Sequence, residues 1–425
     1  MEGCRSVAAA ARLLQRSKAE LYAGLYAARF SPFAAQALTV KILNLFLARY
    51  HLRARSSTVL SRPFGLVIDP SNVCRLACPG CVHSDRNQAL EIFDWPNGTL
   101  PESRIAALLE LYGPYAIGAY FCNYGEPLLN LQTPRFIRLA KTYLMSTALS
   151  TSLSVQRFDA EAYVRSGLDF MVISIDGATQ PVYQRFRRNG DLELVFGNIR
   201  KLVEAKRRLR RRTPVLSWNF LAFEHNVHEI PAAVQKARKL GVNQFRVVNP
   251  FDVTWDDPSI RPAAVEGGVR RLDTFSTASD PENWNPFPEE APKAAVTSAF
   301  EKLWSDPPAV NDRPSSGHTC HWLYKNIVMD AGGRIMPCCG GPPRDGSLVF
   351  DTLEGAGRDV FNSEKYRQAR LWFSTGYVSE NAPYCTRCEW DHATVNIGSQ
   401  EILRYFRSAD PAFFDRRSLR LLSEC

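Results

Sequence analysis

Asp69-Pro-Ser-Asn-Val-Cys74-Arg-Leu-Ala-Cys78-Pro-Gly-Cys81 places three thiols within eight residues, directly after the apolar run Phe64–Ile68. A short apolar run followed by a Pro- and Gly-bearing loop reads as a buried strand entering a turn. In parallel α/β folds the loops past the C-terminal ends of the strands are where active sites sit. Three soft thiolates on one short loop can hold one face of an iron–sulfur cube and leave one iron without a protein ligand. A zinc site completed by His83 is the alternative reading of the same residues.

Outward from this loop the chain alternates strands and helices. The apolar runs Phe64–Ile68, Ile117–Cys122, Leu144–Leu149, Phe170–Ile175, Val215–Phe220 and Gln244–Val248 read as buried strands. Helical stretches separate them at Glu102–Leu111, Thr133–Lys141, Ala160–Ser166, Leu194–Leu209 and Glu229–Leu240. Such alternation means a parallel sheet with right-handed crossovers. Six units are too few for a closed eight-stranded barrel. The fold class is therefore α/β, a partial (β/α)6 TIM-like barrel.

The chain has 425 residues and a formal net charge of +9. Residues 1–62 hold ten Lys and Arg (Arg5, Arg12, Arg16, Lys18, Arg29, Lys41, Arg49, Arg53, Arg55 and Arg62) against Glu2 and Glu20, so this segment carries almost all of the excess. A uniform nucleic-acid binder would spread its charge. The run Lys206–Arg212 reads as a solvated helix end, and no nucleic-acid partner is expected. Residues 5–28 and 35–55 read as amphipathic helices broken at Ser31-Pro32. In the second, Leu38, Ile42, Leu45 and Phe46 form an apolar face, and Lys41, Asn44, His51 and Arg55 take the other. No segment is apolar for the ~20 residues that a bilayer span needs, and no secretory signal stands out. The reading is a cytoplasmic chain with reduced thiols, with possible peripheral contact of residues 1–62 at the inner membrane face.

Eleven cysteines, an odd number, argue against a disulfide framework and for metal or cluster ligation. The division expected is a basic helical extension 1–62, a barrel core 63–250, a connector 251–318 with a helix near Ala294–Leu303, a small cysteine-rich module 319–400 with a helix at Glu364–Phe373, and a helical tail 401–425.

Cys-x3-Cys-x2-Cys after a first barrel strand resembles the radical S-adenosylmethionine (radical SAM) superfamily. The resemblance covers about residues 63–250. It implies that Cys74, Cys78 and Cys81 hold a 4Fe–4S cluster whose open iron is chelated by S-adenosylmethionine. Gly80 departs from the aromatic residue often found there. Asn123-Tyr124-Gly125-Glu126-Pro127 resembles the Gly-Gly-Glu-Pro motif, with Tyr124 at the first glycine. By resemblance Gly125, Glu126 and Pro127 meet the ammonium of S-adenosylmethionine. Ser150 and Thr151 take the place of the ribose-contacting turn, with Ser152-Leu153 where Asn-Gly often stands. Ser174, within Ser174-Ile-Asp-Gly177, and Arg187 would bind the carboxylate, with Arg185 and Arg188 as neighbours in register. Asn226 fits a recurring asparagine after the fifth strand. Cys122 reads as a small buried thiol or a hydrogen-atom donor, and Asp176 as a turn former or a proton acceptor.

Cys320, Gly333, Cys338 and then Cys385-x2-Cys388 resemble the SPASM or shorter Twitch auxiliary module. Thr394 stands where a full SPASM module continues with cysteine. The resemblance implies a second 4Fe–4S cluster held by Cys320, Cys338, Cys385 and Cys388. Cys339 in place of Cys338, or zinc at the same thiols, are the alternatives, and His318, His321 and His392 are read as local hydrogen bonders. The activity implied is reductive cleavage of S-adenosylmethionine to a 5′-deoxyadenosyl radical that abstracts hydrogen from a substrate, with flavodoxin or ferredoxin as electron donor. The substrate classes expected are a peptide or protein side chain, a sugar-like metabolite or a lipid. The rival is a non-catalytic iron–sulfur or zinc-binding adaptor.

Overall fold

The computed structural model describes residues 32–84, 94, 98–250, 257–263, 265, 268–272, 320–340, 343–353, 359–377 and 383–388. The expected helices at 5–28 and 294–303, the tail 401–425, and His318, His392, Cys4 and Cys425 lie outside them.

All six expected strands form: β1 (Gly65–Ile68), β2 (Gly118–Phe121), β3 (Ser146–Thr151), β4 (Phe170–Ser174), β5 (Val215–Leu221) and β6 (Gln244–Val248). They pair in sequence order, each parallel to the next. Four further strands extend the sheet: β7 (Gly268–Arg271), β8 (Asn326–Met329), β9 (Arg334–Met336) and β10 (Asp351–Thr352). The order is β10-β9-β8-β1-β2-β3-β4-β5-β6-β7. β7, in the stretch read as a connector with few strand signals, closes the β6 edge antiparallel. β8 lies parallel to β1, so the chain just after Cys320 contributes a seventh parallel strand to the sheet. All four residues of β1 are buried, as expected for a strand covered on both faces.

The helices between the strands are α2 (Glu102–Tyr112), α3 (Thr133–Thr142), α4 (Ala160–Arg165), α5 (Gln180–Phe186), α6 (Leu192–Arg208) and α7 (Ile230–Leu240), preceded by α1 (Pro32–Ala54) and followed by α8 (Trp322–Lys325) and α9 (Glu364–Thr375). Local chemistry sets their ends. Asp191 caps α6 by accepting from Leu194 N, and Lys206, Arg207 and Arg208 sit at its negative C-terminus.

Two expectations change. The third strand starts and ends two residues later than its apolar run. Leu144 adopts φ +58° in the turn after α3, which delays the strand. Pairing of Ser150 with Val172 and of Thr151 with Ile173 then draws both residues into β3. On α1 the polar face turns inward. Lys41 Nζ donates to Gly113 O at 2.7 Å and to Ala116 O. Asn44 Nδ2 donates to Arg62 O at 2.9 Å, and Arg62 N donates back to Asn44 Oδ1 at 2.7 Å. Backbone acceptors left unpaired where β1 and β2 begin are satisfied by these side chains, which holds polar groups against the barrel.

One core cluster runs from the barrel into the C-terminal segment. It joins Leu66, Phe121, Trp218 and Phe245 with Ile327, Ile335, Phe361, Tyr366, Cys320 and Cys385. Arg370, fully buried, donates to Leu323 O at 2.9 and 2.8 Å and lies over the Phe361 ring. It locks α9 against α8.

A thiol-lined candidate active site at the strand ends

Cys74, Cys78 and Cys81 sit past the C-terminal end of β1, around an apolar cluster of Leu76, Phe186, Phe223 and Ile260. Two clasps hold their loop. On one side the turn after β2 is pressed against it, with Glu126 N donating to Val73 O at 2.9 Å. A Cβ on Gly125 would lie 1.7 Å from Ser71 O, so only glycine fits there. On the other side Ala77 N donates to Arg188 O at 3.2 Å. Gly80, in place of the aromatic residue, has φ +72°, a conformation that favours glycine.

Burial pushes the Cys74 thiol up to about 12, with nearby Glu126 adding to it. Burial pushes Cys78 up to about 11, against the pull of Arg187. Neutral thiols are what burial without a metal produces, and a bound cation reverses that balance. Among the described residues no three His, Cys, Asp or Glu side chains converge on a single ion. Thiolates on separate irons of a cube stand further apart than thiolates on one ion. The donor set of three thiols beside an apolar cluster fits such a cofactor.

The residues expected to meet S-adenosylmethionine are brought to the same edge. Arg187 Nε donates to Asp176 Oδ2 at 2.6 Å, and Arg187 Nη1 lies 3.8 Å from Cys78 Sγ. Arg188 instead pairs with Asp257, so Arg187 is the arginine of the thiol site. Asp176 orients it, and accepts from Leu221 N at 2.7 Å. Glu126 is buried at the start of the Pro127–Leu129 turn. It accepts from Thr151 Oγ1 at 2.5 Å, from Ser152 N at 2.8 Å and Oγ at 2.6 Å, and from Leu128 N at 3.2 Å. Thr151 Oγ1 also accepts from Leu153 N at 2.8 Å. Leu153 takes φ +56° where the motif often has glycine. Ser150 and Ser174 occupy half-buried positions on β3 and β4. Asn226 Nδ2 donates to Asp176 O at 3.0 Å and Leu221 O at 2.9 Å, tying the ends of β4 and β5 together. His83 Nε2 donates to Tyr124 O at 3.2 Å.

Sequence reasoning missed Asp69 and understated Tyr124 and Ser152. Asp69, fully buried at the end of β1, faces the backbone N–H groups of Tyr124, Gly125 and Asn123, and burial raises it to about 7. A carboxylate immediately before Pro70 at a strand end was the available signal. Tyr124 O–H donates to Cys339 O, linking the turn after β2 to the second cysteine group.

In that group, burial pushes Cys320 up to about 12, and Cys388 stands close enough to add to it. Cys338 feels Cys320 and Cys388, and Cys385 feels Cys320, Cys338 and Cys388. Cys339 also adds to the rise at Cys338, and its backbone carbonyl accepts from Tyr124. His321 Nδ1 is 2.7 Å from Lys325 Nζ, and burial lowers it to about 3.

A partial parallel barrel that gathers three thiols, a carboxylate and an arginine at the C-terminal ends of its strands defines a cofactor-dependent α/β enzyme class. Residues 68–221, less than half of the chain, match the family model described as the Radical SAM superfamily. The chain is 21% identical over 358 residues to the PqqA peptide cyclase of Gluconobacter oxydans, covering 83% of this chain and 91% of that protein. It is 28% identical over 182 residues to a probable GTP 3′,8-cyclase of Methanococcus maripaludis, covering 42% of this chain and 56% of that protein. Among solved structures, Streptococcus suis SuiB bound to precursor peptide SuiA aligns with TM-score 0.48 and 14% identity, over 82% of this chain and 72% of that one. The matched stretch is the core of a radical SAM enzyme. With its 4Fe–4S cluster and S-adenosylmethionine bound, such an enzyme generates a 5′-deoxyadenosyl radical by reductive cleavage.

Proposed function

We propose that the chain abstracts a hydrogen atom from a peptide substrate, and that a second, auxiliary 4Fe–4S cluster is held by Cys320, Cys338, Cys385 and Cys388. The observation that carries the first part is the convergence of Cys74, Cys78 and Cys81 with Arg187 and Glu126 at one barrel edge. Cys74, Cys78 and Cys81 are the ligands of the first cluster in this reading. Arg187, charged and locked by Asp176, holds the carboxylate of S-adenosylmethionine. The backbone of Gly125 and Pro127 and the carboxylate of Glu126 line the ammonium end. Ser150, Thr151 and Ser174 line the remaining polar contacts, with Ser152 holding Glu126 in place. Leu76, Phe186 and Phe223 exclude water from the thiols. The protein's part is positioning and shielding, and the cofactor supplies the chemistry.

The peptide reading is supported by the one reported relative whose match, at 358 residues, is longer than the barrel and reaches into the second cysteine group. The domain division 1–62, 63–250, 251–318, 319–400 and 401–425 belongs to the same reading, with the shared core joining barrel and module. An external one-electron donor such as flavodoxin or ferredoxin completes the reaction. Residues 1–62 are read as a peripheral contact at the inner face of a membrane.

Anaerobically reconstituted protein should hold about eight irons per chain for two cubes and form 5′-deoxyadenosine with dithionite. A peptide substrate should raise that formation and emerge altered in mass. Reconstituted protein that makes no 5′-deoxyadenosine overturns the reading.

A further inference from the structure

Seven large apolar side chains are exposed among the described residues: Leu43, Leu47, Tyr50, Leu60, Leu131, Leu144 and Tyr377. Four of them fall between 43 and 60. Leu43, Leu47 and Tyr50 follow one another at helical spacing along α1 and are 56%, 40% and 65% exposed. Leu60, in the segment that follows α1, is 75% exposed, and its backbone N–H donates to His51 Nε2 at 3.1 Å. On the opposite side of the same helix, Lys41, Asn44, Arg49 and His51 are buried. Leu45, Ala48 and Leu52 are buried on that inner side as well, so the helix is apolar on both sides, and its outer stripe of Leu43, Leu47 and Tyr50 is left for an apolar occupant.

Charge selects the occupant. Residues 1–62 carry ten Lys and Arg against two Glu. Among the described residues of this segment Lys41 and Arg49 are buried and Arg62 pairs with Asp359, while Arg53 is exposed and Arg55 half-buried. Arg53 is exposed one helical turn beyond Tyr50. An apolar stripe with Arg53 beside it, in a segment whose sequence is strongly basic, matches the interface of an anionic bilayer, where acyl boundary and headgroup charge meet. Four side chains amount to a few hundred square ångströms, well short of the roughly 800 Å² per partner of a stable dimer. Among the described residues no helix is long and apolar enough to cross a membrane, so the contact lies in the surface plane.

The barrel sets the orientation. Lys41 meets the Gly113–Ala116 turn that precedes β2, and Asn44 meets Arg62 just before β1. Both contacts are at the N-terminal ends of the strands, while Cys74, Cys78, Cys81 and Glu126 lie past the C-terminal ends. We propose that the outer face of α1, formed by Leu43, Leu47 and Tyr50, docks on an anionic bilayer surface and holds the thiol-lined end of the barrel away from it. This inference rests on the peripheral reading of residues 1–62 and names its face. It also places substrate entry on the aqueous side, as a peptide requires.

The test is co-sedimentation of the full chain with vesicles of phosphatidylglycerol and phosphatidylcholine, against phosphatidylcholine alone. The wild type should pellet with the anionic vesicles and stay in solution with the neutral ones. The combined variant Leu43→Ser, Leu47→Ser, Tyr50→Ser, with an unchanged far-UV circular dichroism spectrum, should lose more than about tenfold in partitioning. Arg53→Glu, a surface change that spares the fold, should lose a few-fold. Formation of 5′-deoxyadenosine should be the same with and without vesicles. If the triple variant pellets like the wild type, the face is wrong and the peripheral reading survives. If wild type ignores anionic vesicles, both fall. Equal pelleting with neutral vesicles overturns the anionic surface. A wild-type dimer that the triple variant converts to monomer makes a second copy the occupant. Loss of 5′-deoxyadenosine formation on vesicles overturns the orientation.

Discussion

Arg187 Nε lies 2.6 Å from Asp176 Oδ2, and the same guanidinium reaches to 3.8 Å from Cys78 Sγ. Asp176 is fully buried, so the arginine is fixed by a partner that cannot move into solvent. Burial alone would lower the pKa of Arg187, and the charges of Asp176 and Cys78 beside it more than offset that. Asp176→Asn keeps the shape and removes the lock. It should raise the KM for S-adenosylmethionine about tenfold, with a smaller change in kcat. Titration of 5′-deoxyadenosine formation reads the split, and an unchanged KM would count against the role given to the pair.

Glu126 accepts four hydrogen bonds, three of them from Thr151 and Ser152. An amide in its place points N–H groups at donors. Glu126→Gln should lower stability by about 1–3 kcal/mol. Urea unfolding measures this, and a midpoint equal to wild type would show that these contacts are not formed in solution.

Asp69 titrates at about 7 in the folded chain because burial disfavours its charge, against 3.8 ordinarily. A folded pKa above the unfolded one means that its contribution to stability is full below the lower value and lost as pH rises through the higher. The span corresponds to about 4 kcal/mol at most. Asp69 Oδ1 has no hydrogen bond, so an asparagine can place its oxygen toward Tyr124 N and its amide where Oδ1 stands. Asp69→Asn should fold and should flatten stability against pH across that window. Unfolding midpoints of metal-free protein that keep the wild-type slope would exclude Asp69 as its source.

The proposed ligand set takes Cys338, whose buried thiol is raised further by Cys339, Cys320 and Cys388, and leaves Cys339 out. Cys338→Ala should drop the reconstituted iron from about eight to about four per chain, with Cys339→Ala leaving it near eight. The opposite ranking would move the ligand by one residue.

A methyl group at Gly125 meets Ser71 O at 1.7 Å, and backbone there has no room to give. Gly125→Ala should destabilise the chain by more than about 2 kcal/mol and loosen the cysteine loop. Thermal midpoint and retained iron report it together, and a variant as stable as wild type would show that the two turns separate.

Much of this protein is legible along the chain. Phe64–Ile68 and the five later apolar runs are contiguous and bounded by turn residues, so burial alone marks them as parallel strands. Cys74, Cys78 and Cys81 are close in sequence, and short loops keep them close in space. What depends on long-range pairing was not legible. β8 joins β1 across more than half of the chain, and no local pattern marks a strand's distant partner. Asp69 and Tyr124 acquire their roles from backbone groups and a carbonyl far away in sequence. The helix α1 was read correctly as a helix, yet its periodicity identified two faces without saying which one meets protein. Lys41 faces inward because Gly113 O and Ala116 O need donors there. The sequence by itself determined the six barrel strands with their helices, the thiol loop and the chemistry, because those follow from neighbours in the chain. Only the tertiary structure decided which arginine meets the thiols and which face of α1 is left to the outside, because both depend on which distant backbone and charged groups require a partner.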